Sequence, residues 1–209
     1  APDDLPVRLT DEDFWTLSQD MSEPGGYFRS DNLLSNEVYY PAILDDLMQR
    51  VKPGGVYLGV GPEQNFNYLA ILKPRIAFIT DIRRGNLHTH LMYKALIEMS
   101  SSRVDFYARL FSKPRPDGLS DEAPVAEIVR RFAEMSTAGE ETYRENLQAI
   151  SDHLTKRPHT LPLPLEDLEG IGYVYRNFYW FGPSITYNSS TGGGGRSSMA
   201  TYAALMTVT

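Results

Sequence analysis

The chain has 209 residues, 42% hydrophobic and 22% charged, the composition of a folded domain with enough apolar content to bury a core. Its net charge of −7 opposes sequence-independent binding to nucleic acid, where phosphate neutralisation supplies the affinity, and no apolar run reaches the roughly 18 residues that a membrane span needs. With no cysteine, disulfides, thiolate metal sites and cysteine nucleophiles are excluded.

In chain order, residues 1–9 read as a polar, Pro-containing arm. Asp11, Glu12 and Asp13 form an acidic first turn before Phe14, Trp15 and Leu17, and Pro24-Gly25-Gly26 closes that helix. Tyr27–Asn36 is a polar loop. Val38–Val51 carries apolar residues at near-helical spacing and ends at Pro53-Gly54-Gly55. Val56–Val60 and Ile76–Thr80 are short apolar runs of buried-strand type. Between them Gly61-Pro62 turns the chain into a helix over Glu63–Leu72, and a strong helix follows over Leu87–Met99. This strand–helix–strand–helix order predicts parallel strands joined by a right-handed crossover.

Phe111–Pro124 reads as a loop, followed by helical patterns over Val125–Met135 and Glu140–Lys156 and a Pro-rich stop at Arg157–Pro164. The aromatic run Gly172–Tyr187 reads as one or two strands. Ser189–Ser198, with four consecutive glycines, is a flexible or special turn, and Ala200–Met206 is a last short apolar element. The fold expected is α/β and Rossmann-like, a parallel sheet flanked by helices in a single domain. Its parts are residues 12–111 (N-terminal helices and core), 112–164 (helical insertion) and 165–209 (aromatic β segment and Gly-rich loop). So few strands imply a sheet completed by sequence beyond this chain, by a second chain or by a homo-oligomer.

Gly59-Val60-Gly61 falls at the carboxyl end of the first strand, where open α/β sheets bind ligands. Glycine admits a ligand close to the backbone, and the next helix aims free N–H groups at it. Asp81 ends the second strand 20 residues after Gly61, the place of an acid that accepts from ribose hydroxyls. The bland alternative is a tight strand–helix turn, with Asp81 capping a helix or pairing with Arg83 or Arg84. Three features oppose a pyrophosphate. Gln64 stands where the dinucleotide fingerprint has its third glycine, Pro62 lacks an N–H, and Glu63 puts negative charge at the helix N-terminus. A nucleoside without phosphate fits better, and S-adenosylmethionine is such a ligand.

The segment Gly55–Asp81, GVYLGVGPEQNFNYLAILKPRIAFITD, resembles the first strand–turn–helix–strand of class I S-adenosylmethionine-dependent methyltransferases. The likeness extends over about Val38–Met99. Together with FWTLSQDMSEPGGYFRSDNLLSNE and ITDIRRGNLHTHLMYKAL, the chain also resembles a group of uncharacterised bacterial proteins, some of them exported. The methyltransferase resemblance implies that Gly59 and Gly61 line the methionine part of the cofactor, Asp81 holds the ribose and Ile82 lies against the adenine. The chain departs from that family at Tyr57, where an acid is usual, and at Glu63, which replaces the third glycine.

Among other candidates, Asp31, Asn32, Asn36 and Glu37 could fold over a cofactor, but helix capping by Ser35 or Asn36 is the favoured reading. His88 and His90 are spaced by two, wrong for sharing a helix face, so no metal ligand is assigned. His153 and His159 read as surface residues. Arg83 and Arg84 suit a 2′-phosphate or an acidic substrate, or simply neutralise carboxylates. Gly192–Gly195 with Arg196 could form an anion-binding nest, though a mobile surface loop is favoured. The expected function is an S-adenosylmethionine-binding, methyltransferase-like protein with a small-molecule substrate and no visible catalytic residue. The alternatives are an NAD(P)-binding oxidoreductase and a non-catalytic binding or assembly protein retaining the fold. Ala1, which is not Met, fits either a processed export product (periplasmic) or a cytoplasmic protein.

Overall fold

A computed structural model describes residues 6, 8–25, 28, 30–189 and 199–207. The protein is mixed α/β and mainly helical, with a two-stranded parallel sheet. Helix α1 (Asp11–Asp20) starts where Thr10 accepts the Asp13 N–H at 3.0 Å. The expected helix at Val38–Val51 is a 3₁₀ turn (Tyr40–Ile43) leading into a short α2 (Leu44–Arg50), with Pro41 at the start of the turn.

Strand β1 (Val56–Val60) pairs in parallel with β2 (Ile76–Thr80), in register from Val56 opposite Ile76 to Val60 opposite Thr80. Helix α3 (Gln64–Leu72) connects them and ends on Lys73 in the left-handed region. The expected strand–helix–strand unit is therefore present, with α3 starting one residue later than expected. The sheet is not buried as its apolar sequence predicts. Val56, Leu58 and Val60 alternate onto one face and are 61%, 77% and 68% exposed, and no further strand joins β1 or β2 among the described residues.

The main core lies among the helices. Helix α4 (Arg84–Met99) buries Leu91, Met92, Tyr93, Ala95 and Leu96 and packs most closely against α8 (Leu165–Phe181). Helix α7 (Glu140–Thr155) leans on both. Helix α5 (Arg103–Phe111), which has no counterpart among the expected elements, packs with α6 (Val125–Glu134), and α9 (Tyr202–Met206) packs on α6. The helices expected at Val125–Met135 and Glu140–Lys156 and the last apolar element match α6, α7 and α9 closely.

The aromatic β segment is corrected: Gly172–Phe181 belongs to α8, a 17-residue helix. Buried Ile171, Val174, Tyr175 and Phe178 follow helical spacing, while Tyr173 and Trp180 face outward. Aromatics on every side imitate strand composition, but only the helical period puts the buried ones on one stripe. Gly182, at φ +53°, ends the helix. Gly192–Gly195, read in the sequence as a surface loop with an anion-binding nest as the alternative, lies outside the described residues.

Candidate functional site

The site starts at the turn after β1. Gly61 adopts φ +84°, which glycine takes without strain. Its N–H donates to the Thr80 carbonyl at 3.1 Å, and its own carbonyl accepts from His90 Nε2 at 3.0 Å. Burial pushes His90 below the ordinary imidazole range, consistent with a neutral ring donating from Nε2.

The space over the turn is occupied by the protein itself. Asn65, in the first turn of α3, shares the protons of Nδ2 among the carbonyls of Val60 (3.2 Å), Gly61 (2.9 Å) and Pro62 (2.8 Å). Tyr57 Oη donates to Asn65 Oδ1 at 2.8 Å. A Cβ on Gly59 would lie 2.1 Å from Asn65 Oδ1 and 2.6 Å from Tyr57 Cε1. Glycine at 59 is thus explained by close packing of α3 on β1. Phe66 stands edge-on to both His90 and Tyr93 beneath the turn.

The helix N-terminus is also taken. Glu63 stands at the N-cap of α3 in a buried position, and the Ser35 N–H donates to its Oε1 at 2.9 Å and Oε2 at 3.2 Å. Burial pushes the Glu63 carboxyl up to about 7, against the pull of the N–H groups of Ser35 and Glu63 itself. This carboxylate fills the place a phosphate would use and anchors the 30–35 segment to the turn. Ser35, expected as a helix cap, instead accepts the Glu37 N–H at 3.1 Å in a local turn, and the 3₁₀ turn starts without a side-chain cap.

Asp81 projects from the end of β2 but is engaged by its neighbour. Oδ1 accepts the Arg83 N–H at 2.9 Å and lies 3.4 Å from Arg83 Nε. The Arg83 guanidinium also reaches the carbonyls of Ser30 and Asn32, both at 3.4 Å. Beyond that 3.4 Å ion pair Arg83 Nε has no hydrogen-bond partner among the described residues, and neither have the buried Asn32 Oδ1 and Asn86 Oδ1. Ile82 is 75% exposed. The four residues expected to bind cofactor therefore divide: Gly59 and Gly61 lie in a self-filled turn, Asp81 in an ion pair, and Ile82 on the surface.

Arg84 points elsewhere. It grips buried Asp167 of α8 in a bidentate pair at 2.6 and 2.7 Å, and His88 Nε2 meets the same carboxylate at 2.8 Å. His88 and His90 thus serve different partners and share no site. A cleft of about 900 Å³ opens beside this cluster, between the segment after α1, the start of α4 and α8, with Arg83, Arg84, Asp31 and Tyr173 in its lining.

A second cluster of metal-ligand type sits at the other end of α4. There Glu98, His153 and His159 converge, roughly 20 Å along the helix from Arg84 at 1.5 Å per residue. His159 is buried, correcting its expected surface position. Sequence offered little sign of this cluster, because 55 residues separate Glu98 from His153. Nor did it mark Asn65 as the plug of the turn, though Asn four residues after a Gly-Pro turn is suited to reach back to its carbonyls.

No curated protein matches the chain. Residues 31–160 match the family described as a domain of unknown function, DUF7790. The match spans residues 31–35, the sheet, the plugged turn and helices α2 to α7. Covering more than half of the sequence, it places this chain in that family.

Proposed function

We propose that this chain is a non-catalytic assembly protein that uses a methyltransferase-type strand–turn–helix as a scaffold. The observation carrying this reading is the bare sheet face, where Val56, Leu58 and Val60 stand side by side in water. An alternating apolar face costs free energy until another layer covers it, at about 25 cal/mol for each Å² left wet. Both strands also lack a second neighbour among the described residues, so the sheet can be extended as well as covered. The plugged turn supports the same reading. A cofactor approaching Gly59 would have to displace the Tyr57–Asn65 pair, and a phosphate would have to displace Glu63.

A second reading, S-adenosylmethionine binding, is favoured by one observation. Beside the Asp81–Arg83 pair, Asn32 Oδ1 and Asn86 Oδ1 are buried without a hydrogen-bond partner among the described residues, and such groups call for a water, an ion or a ligand. Calorimetric titration with S-adenosylmethionine, S-adenosylhomocysteine and NADH separates the two. The assembly reading expects no saturable binding of any of them. Micromolar binding of S-adenosylmethionine that disappears in Asp81→Ala would replace it with the cofactor reading.

A further inference from the structure

We propose that Glu98, His153 and His159 form a binding site for one divalent transition ion of the zinc type, bridging α4, α7 and the segment after α7. Each residue offers one ligand atom, and these atoms all lie within 4.8 Å of one another. His153 Nε2 and His159 Nε2 both point at the same oxygen, Glu98 Oε2, each at 2.8 Å. Two imidazole nitrogens and one carboxylate oxygen meeting at a point are a donor set that suits zinc and its neighbours in the first row. Ligand bonds of about 2.0–2.2 Å then require only small side-chain rotations, with the ion taking the place now spanned by hydrogen bonds.

The surroundings are those of a built site. His159 Nδ1 is held at 2.9 Å by Asp11 Oδ1, whose other oxygen accepts the Thr160 N–H at 2.7 Å. A carboxylate on the far ring nitrogen fixes the ring and leaves Nε2 to the ion, the arrangement found around most metal-binding histidines. Glu98 divides its oxygens: Oε1 takes Lys94 Nζ at 2.6 Å and Oε2 faces the histidines. It would therefore bind through one oxygen. The partial exposure of Glu98 leaves water to complete the coordination. Lys94 is the opposing feature, since its charge competes for the same carboxylate.

Lys94 also makes the proposal testable in two directions. Zinc is titrated calorimetrically into chelator-treated protein, with folding of each variant checked by circular dichroism. One ion per chain is expected. His153→Ala and Glu98→Gln, the more exposed ligands, should each weaken binding at least tenfold. Asp11→Asn should weaken it about 10- to 100-fold through the His159 ring. Lys94→Met should tighten it, a gain that a merely structural hydrogen-bond cluster would not give. Absence of saturable binding overturns the proposal, as does binding that His153→Ala and Glu98→Gln leave unchanged.

Discussion

Glu63 is a carboxylate set at a helix N-terminus but cut off from water. Its carboxyl is raised from 4.5 to about 7 by burial, so between those values the folded state binds a proton that the unfolded chain releases. Stability contributed by Glu63 is thus fullest below pH 4.5 and falls as pH rises to about 7. Glu63→Gln keeps an acceptor for Ser35 while removing the charge. It is expected to flatten this slope and to add about 3 kcal/mol at pH 8, since each tenfold change in proton affinity is worth about 1.4 kcal/mol. Urea unfolding of both proteins at pH 5 and pH 8 checks this, and an identical pH dependence in the two would refute it. Asn65 is the neutral counterpart of this device, a side chain that satisfies three carbonyls of its own turn. Asn65→Ala is expected to cost about 1–3 kcal/mol through the carbonyls it strands.

At the scale of elements, α4 and α8 are joined by one buried polar clamp. Asp167 is fully buried, paired with the Arg84 guanidinium and hydrogen-bonded to His88. Burial raises the Asp167 carboxyl, but the bonds from Arg84 and His88 outweigh it and hold it below the usual carboxylate range. Asp167→Ala leaves both partners without their acceptor, and a loss of roughly 3 kcal/mol is expected in denaturant unfolding. Gly170 serves the same contact, because a Cβ there would lie 2.2 Å from the His88 ring. Gly170→Ala should therefore displace His88 and cost about 1–3 kcal/mol by overpacking. A loss in Gly170→Ala as small as that of an exposed glycine would show that the ring moves freely.

Helix α8 also shows how far sequence patterning reaches. Its acidic first turn, Glu166 and Asp167, and its spacing of Ile171, Val174, Tyr175 and Phe178 were all readable. The outward Tyr173, Trp180 and Phe181 concealed that period by making nearly every position aromatic or apolar. Helices α6 and α7 were legible because polar residues on their outer faces leave the apolar stripe distinct.

Across the whole molecule, stability is divided unevenly. The helical body around α4 and α8 holds the large buried side chains, whereas the sheet has one wet apolar face and, among the described residues, two unpaired edges. Hydrogen exchange should show this division. Amides of Leu91–Leu96 are expected to approach the protection of global unfolding, and those of Val56–Val60 to exchange through local opening at least tenfold faster. Equal protection would mean that the sheet is already covered in solution, as in an assembled form.

Sequence by itself determined the parallel strand–turn–helix–strand unit, the positions of Gly59, Gly61 and Asp81 at strand ends, and the helices α6 and α7. Each of these depends on local periodicity or on glycine geometry, which are written within a few residues of one another. Only the tertiary structure decided what occupies those places. Asn65 and Tyr57 close over Gly59, Ser35 reaches Glu63 from 28 residues away, Asp167 meets Arg84 from 83 residues away, and His159 finds Asp11 across 148. Contacts at such separations are set by how helices pack, and packing depends on the shapes of many side chains at once.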